Sequence, residues 1–291
     1  MLVLDRRYPT EHLAGLEVVR RPRLDVEALL ALPGRPVGAA EMDALPALRV
    51  IATATIGYDH VDVEAAAERG IWVCNVPDYC VEEVADHTVA LVLALLRGVV
   101  ALDRHVRAGR WNSAAAGPLR TLAGLRVGIV GYGRIGSAVG RRLTALGCRV
   151  FAHDLVAVED VPRRPLGRLL GTSDVVTVHV PLTSETEGLI GVKELARMRP
   201  GALLVNTSRG PVVDVDALVR DLREGHLGGA ALDVLPEEPP RRVPRLPNLI
   251  VTPHAAWYSE TAQLKAWAGA VEAVRTALAG RRPSGALPET P

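Results

Sequence analysis

RVGIVGYGRIGSAVGRRLTALGCRVFAHD, running from Arg126 to Asp154, decides the fold. RVGIV reads as a buried strand, GYGRIG (131–136) as a tight turn and SAVGRRLTAL as a helix. CRVFAHD reads as a second strand that ends on a carboxylate. In such a unit each glycine has its own task. Gly131 permits the turn, Gly133 lets the backbone approach a pyrophosphate, and Gly136 lets helix and strand pack closely. Arg134 and Ile135 open the helix, where N-terminal amides and the helix dipole favour anions. Asp154 is placed to accept from ribose hydroxyls, so the whole stretch reads as a dinucleotide site. Its charge would repel a 2′-phosphate and no arginine immediately follows it, which favours NAD over NADP. Arg163 and Arg164, folding back, would be the route to NADP.

Working outward, the same alternation continues on both sides. VVTVHV (175–180), ALLVN (202–206), AALDV (230–234) and LIVTP (249–253) read as strands of a sheet buried on both faces. Upstream, LVL (2–4), VGAA (37–40), VIATA (50–54) and IWVCNV (71–76) read as strands, and VDVEAAAERG (61–70) as a helix closed by glycine. A long helix is expected from about Glu82 to about Ala108, stopped by Gly109. A last helix, from Ser259 to Ala279, is long enough to leave the second unit and return to the first. The expected fold class is α/β: two Rossmann-like, doubly wound parallel-sheet domains, the cofactor domain inserted into a smaller flavodoxin-like substrate domain. The expected boundaries are 1–98 plus 262–291 for the substrate domain and 99–261 for the cofactor domain. The tail GRRPSGALPETP (280–291) reads as mobile.

Composition narrows the chemistry. A chain of 291 residues exceeds one comfortable core, which agrees with two domains. A formal charge of +1 gives no electrostatic case for nucleic acid or an anionic membrane. Lys193 and Lys265 are the only lysines, which leaves a Schiff-base mechanism few candidates. The cysteines Cys74, Cys80 and Cys148 form no Cys-x-x-Cys pair, and no histidine pair has convincing metal-ligand spacing. Neither a disulfide framework nor a metal site is expected. MLVLDRRYPT lacks the pattern of a signal peptide, and the apolar stretch from Val84 to Val100 is interrupted by Asp86, His87 and Arg97. A cytoplasmic, non-membrane protein is the expectation.

Three polar residues follow apolar runs downstream of the glycine turn: Arg209 in NTSRG, Glu238 in LPEEP and His254 in TPHAAW. Loops after strands of an open α/β sheet are where ligands bind. A guanidinium there can hold a carboxylate through two parallel hydrogen bonds. An imidazole can give a proton to a keto oxygen and take it back near neutral pH, and a carboxylate beside it would orient the ring and favour its charged form. Against this stand plainer readings, a surface ion pair for Arg209 and a structural histidine for His254. His179 in HVP reads equally as lining the cofactor cleft or as loop packing.

GYGRIG with Asp154, then HVPLT, NTSRGPVVD, GGAALDVLPEEP and NLIVTPHAAW, resemble in order and spacing the D-isomer-specific 2-hydroxyacid dehydrogenase family. Within it the chain is most similar to the branch of the phosphoglycerate dehydrogenases and C-terminal-binding proteins, the latter through TPHAAWYSE. The likeness runs upstream through ATIGYDHVDVEAAAERGIWVCNVPDYCVEEVADHTVALVLAL. It implies an NAD-dependent oxidoreductase that interconverts a D-2-hydroxy acid and its 2-keto acid. Arg209 would anchor the substrate carboxylate, His254 would be the acid/base and Glu238 its partner. His179, Pro181 and Thr207 would border the cofactor, and Asp233 would contact the nicotinamide carboxamide. Backbone amides around Ile56 and Gly57 would also hold the substrate carboxylate. Trp257 would stand at the substrate pocket or, equally, pack under the last helix. The stretch before ATIGYD is shorter than is usual in the family, so the substrate domain would be trimmed and Gly38 to Glu41 would have to supply contacts. The resemblance also implies a homodimer formed through the 82–108 helix and the arm after it. A second implication is different in kind: an NAD-sensing dimeric scaffold or corepressor. A formate-type oxidation would call for glutamine where Glu238 stands, and a phosphite-type oxidation shares the fold.

Overall fold

The computed structural model describes residues 2–3, 13 and 15–290; Leu4 of the first expected strand and Pro291 of the tail lie outside them. The chain divides into two compact units, Met1–Cys80 with Tyr258–Pro291, and Val81–Trp257.

The first unit begins with β1 (Leu2–Val3), β2 (Ala28–Ala31), α1 (Ala39–Asp43), β3 (Val50–Thr53), α2 (Val63–Glu68) and β4 (Trp72–Cys74). Its strands are parallel and adjacent in chain order, β1-β2-β3-β4. VGAA is not a strand: Val37 makes one bridge to Val61, Gly38 caps α1, and Glu41 reaches back to accept from the Gly38 amide at 3.0 Å. The strand at this place is ALLA, whose residues favour helix by propensity. Burial on both faces of a sheet overrides that preference. α2 follows the sequence expectation, with Asp62 accepting from the Ala65 amide at its start and Gly70 at φ 65° beyond its end.

The second unit opens with α3 (Val81–Leu96) and α4 (Val99–Arg107), bent by 61° to one another. The single long helix expected here is broken at Gly98, which sits at φ 59° and would drive a Cβ to 2.5 Å from that of Ala116. No single helix among the described residues is long and apolar enough to cross a membrane. There follow β5 (Arg126–Val130), α5 (Arg134–Ala145), β6 (Arg149–His153), α6 (Leu166–Thr172), β7 (Val175–Val178), α7 (Val192–Arg197), β8 (Leu203–Asn206), α8 (Val215–Glu224), β9 (Gly229–Leu232) and β10 (Leu249–Val251). All pairings are parallel in the order β10-β9-β8-β7-β5-β6, and a single parallel bridge from Ala152 to Arg163 extends the sheet beyond β6. The order reverses between β5 and β7, which makes that edge the switch point where an open α/β sheet binds ligands.

Ala85, Val89 and Val92 of α3 pack with Val139 and Leu143 of α5 on one face of this sheet. Leu169, Leu195, Leu218 and Leu222 cover the other face from α6, α7 and α8. Burying each such side chain contributes about 1.5–3 kcal/mol. That is why α3 belongs to the second compact unit, although the boundary expected from sequence fell after it, at residue 98.

α9 (Glu260–Leu278), near the expected bounds and capped by Ser259, closes the chain back onto the first unit. Its buried Ala262, Ala266, Ala270, Ala273 and Ala277 form a stripe of small side chains against β3 and its neighbours. The tail beyond it is ordered, contrary to the sequence reading. Ala286 bridges Cys74 antiparallel, the Leu287 amide donates to Val73 O at 2.9 Å, and Leu287 and Thr290 are buried. It shields the β4 edge of the small sheet. The three cysteines are unpaired and buried, and burial pushes the Cys74 thiol up to about 12.

Candidate active site

At the end of β5 the glycine turn divides the labour as its sequence requires. Gly131 has φ 86° and leaves no room for a side chain, since a Cβ would meet His179 O at 2.6 Å; its amide donates to His153 O. Gly136 is closed as well, 2.1 Å from Gly131 O, so helix and turn touch backbone to backbone. Gly133 differs. It is exposed, caps α5, and nothing lies within 4 Å of where its Cβ would be. Arg134 beside it is exposed and Ile135 half-buried. An open backbone at the N-terminus of a twelve-residue helix, between two closed glycines, fits the pyrophosphate of a dinucleotide.

Asp154 stands where expected, and its carboxylate braces the turn, accepting from the Tyr132 amide at 2.6 Å and the Val156 amide at 2.9 Å. Each oxygen keeps a further lone pair for a ribose hydroxyl. Arg163 does fold back, donating to Asp154 O at 3.0 Å, while Arg164 lies over the Phe151 ring, 3.3 Å from its centroid. His179 shares a hydrogen bond with the Thr177 hydroxyl at 2.9 Å, and burial pushes its imidazole down to about 3, so the ring is neutral. Its backbone carbonyl, rather than its ring, closes the space beside Gly131. Pro181 is exposed, and Thr207 is buried against the Thr88 hydroxyl at 2.8 Å.

The loops after β8, β9 and β10 carry the three polar residues. Asn206, wholly buried at the end of β8, accepts from the Ser208 amide and donates to Arg209 O at 2.9 Å, which fixes the loop before Arg209. Gly210 then passes so close to the next loop that a Cβ would lie 2.1 Å from the Leu235 carbonyl carbon. In that second loop Glu238 accepts from the Leu235 amide through Oε1 at 2.9 Å. Its Oε2 meets His254 Nδ1 at 2.6 Å. Sequence spacing alone could not show this contact.

Burial would raise the Glu238 pKa. The hydrogen bonds from His254 and the Leu235 amide, with the charges of His254 and Arg209, outweigh it and hold the carboxyl below its ordinary value. An ionised Glu238 accepts the Nδ1 hydrogen, which leaves Nε2 as the ring atom able to exchange a proton with a ligand.

His254 is the only described non-glycine residue in the left-handed region, at φ 53°. The residue that holds it there is Asp233. The carboxylate of Asp233, 1 % exposed, accepts from the Ala255 and Ala256 amides at 2.9 Å and from the Thr252 hydroxyl at 2.5 Å, and its carbonyl accepts from His254 N. Asp233 is sealed beneath the turn and braces it. Trp257 follows the turn, half-buried. Asn206, Gly210 and Thr252 were not singled out from sequence, and only Asn206, a turn-forming residue at a strand end, carried a local signal.

In the first unit, the loop after β3 presents Ile56 and Gly57. Their carbonyls are occupied, by Asn75 Nδ2 at 2.7 Å and by the Thr55 hydroxyl at 2.7 Å, while their amides donate to no described residue. Such amides are suited to a carboxylate. Among the described residues no group of histidine, cysteine and acidic side chains could hold a metal.

Comparison with known proteins agrees with this chemistry. Residues 89–256 match the family model described as the D-isomer specific 2-hydroxyacid dehydrogenase, NAD binding domain. A glyoxylate reductase of Korarchaeum cryptofilum is 44% identical over 245 residues, covering 80% of this chain and 74% of that protein. An NADPH-dependent glyoxylate/hydroxypyruvate reductase from Sinorhizobium meliloti, solved with NADP and malonate, superposes with a TM-score of 0.89 at 32% identity, over 100% of this chain and 97% of that one. A D-lactate dehydrogenase from Aquifex aeolicus, solved with NAD and lactic acid, gives a TM-score of 0.87 at 29% identity, over 93% and 91%.

Proposed function

The chain belongs to the D-isomer specific 2-hydroxyacid dehydrogenase family, an oxidoreductase of hydroxyacid CH–OH groups with a nicotinamide cofactor, and from that premise we propose that it reduces a short 2-keto acid to the D-2-hydroxy acid. Glyoxylate and hydroxypyruvate are the first candidates, by the names of its relatives. The 2.6 Å contact between Glu238 Oε2 and His254 Nδ1 carries the proposal.

Arg209 clamps the substrate carboxylate through a bidentate pair. His254 gives its Nε2 proton to the keto oxygen as C2 is reduced and recovers it in the reverse direction. The nicotinamide, when bound, supplies the hydride. Glu238 stabilises the charged ring before transfer and fixes its tautomer throughout. NAD is the proposed cofactor, on the strength of the Asp154 carboxylate; the backbone-bound Arg163 guanidinium is the group that would let NADP compete.

We also infer a homodimer. α4 has no buried residue, exposes Val99 and Val106, and leads to Trp111, which is 91 % exposed. An apolar surface of this kind calls for a partner. A cytoplasmic setting fits the three unpaired cysteines.

The test is turnover of glyoxylate, hydroxypyruvate and pyruvate with NADH and NADPH side by side. His254→Ala should lower kcat by about 10²- to 10⁴-fold while cofactor binding persists. An unchanged kcat would remove His254 from its role. Absent turnover with every keto acid, coupled to NAD-dependent dimerisation, would favour the scaffold reading instead.

A further inference from the structure

One turn of α3 reaches two of the loops described above. Thr88 meets Thr207, two residues before Arg209, and His87 meets Thr252, two residues before His254. His87 Nε2 lies 3.1 Å from the Thr252 hydroxyl and 3.6 Å from Asp233 Oδ1.

The direction of these hydrogen bonds follows from counting donors. Asp233 accepts two backbone amides, and its Oδ1 also takes the single hydroxyl hydrogen of Thr252. The Thr252 oxygen is then left to His87 as an acceptor, and His87 Nε2 must carry a hydrogen. The donors converge on one carboxylate: His87 N–H donates to the Thr252 hydroxyl, Thr252 O–H donates to Asp233, and the amides that follow His254 donate to the same Asp233. Chains of this kind polarise one another and strengthen in a buried setting.

We propose that His87 is a positioning residue for the reaction, its Nε2 hydrogen fixing, through Thr252 and Asp233, the left-handed turn that presents His254. This rests on the reading of His254 as the acid/base. A left-handed backbone at a residue with a side chain persists only where surrounding contacts over-determine it, and these are the contacts. His87 touches no reacting atom and acts through Thr252 and Asp233.

The test compares His87→Gln, which keeps an N–H donor at about the Nε2 position, with His87→Leu, which fills similar space without one. Losing a hydrogen bond in a charge-linked chain should lower kcat on the order of 10-fold in the leucine variant, with the keto-acid KM nearly unchanged and the glutamine variant near wild type. A leucine variant with full kcat, or a glutamine variant as poor as the leucine one while equally folded, overturns the proposal.

The ring resonance of His254, assigned by its loss in His254→Asn, gives a readout independent of turnover. It should shift or split in His87→Leu and stay in place in His87→Gln, and an unmoved signal in both refutes the idea. That signal decides the matter even if no keto acid is turned over, an outcome that would sink the proposed activity alone. Should His87→Leu fail to fold, Thr252→Val removes the relaying hydroxyl and carries the same expectations.

Discussion

Two glycines three positions apart, alike in sequence, should fail in opposite ways. At Gly136 a Cβ would sit 2.1 Å from Gly131 O, where 3.0 Å is the floor for real Cβ contacts, so α5 would have to retreat by about 0.9 Å. That helix anchors Ala138, Val139 and Leu143, all at 0 % exposure. Overpacking of this kind costs about 1–3 kcal/mol, which for a unit of this size lowers Tm by about 2–12 °C. At Gly133 the space is open and the backbone extended, so Gly133→Ala should leave stability within about 0.5 kcal/mol of wild type. Its methyl group would stand where the phosphates approach. Losing one charge-assisted hydrogen bond there weakens cofactor binding by about 10- to 100-fold. Calorimetry without cofactor measures the first effect and fluorescence titration with NADH the second. If Gly133→Ala bound NADH as wild type does, the open backbone above it would not be the phosphate site. An unchanged Tm in Gly136→Ala would refute the packing argument.

Leu287→Ala should destabilise the first unit by about 2–5 kcal/mol, read from urea unfolding, because Leu287 is buried in that unit's core. Glu238→Gln should unfold below wild type at neutral pH, with the gap closing in acid. The folded-state pKa of Glu238 lies below its ordinary 4.5, so its contribution is complete above that value and is lost as pH falls through the depressed one. A pH series of Tm values checks the sign. In the proposed homodimer, Trp111→Ser should raise the dissociation constant by about 30-fold or more, since tryptophans buried on association are frequent interface hot spots, and sedimentation would show it.

The strands of the larger sheet were legible because short apolar runs such as VVTV and LLVN, alternating with helical segments, fit burial on both faces of a sheet. The dinucleotide turn was legible because each glycine answers a separate steric demand. What escaped was set by tertiary contact. Gly98 breaks a helix where Ala116 and Leu119 leave no room for a side chain, a constraint its neighbours in sequence do not announce. ALLA becomes a strand only where two sheet faces bury it. A tail of Pro, Gly and Arg reads as loose until its Leu287 finds a core. Asp233 drew attention as a carboxylate among candidate ligands, but its bracing of the turn through the amides of residues 255 and 256 and the Thr252 hydroxyl was announced by no periodicity.

The backbone at residue 254 also limits what evolution or an engineer can place there. At φ 53° the position admits glycine freely, and asparagine, aspartate and histidine with modest strain, while β-branched and bulky residues resist it. Of that short set only histidine changes protonation near neutral pH. Replacing the imidazole with a lysine or tyrosine, as a redesign for alkaline operation would wish, therefore meets resistance from the main chain before any question of reactivity arises. Variants intended for that purpose would first have to rebuild the turn.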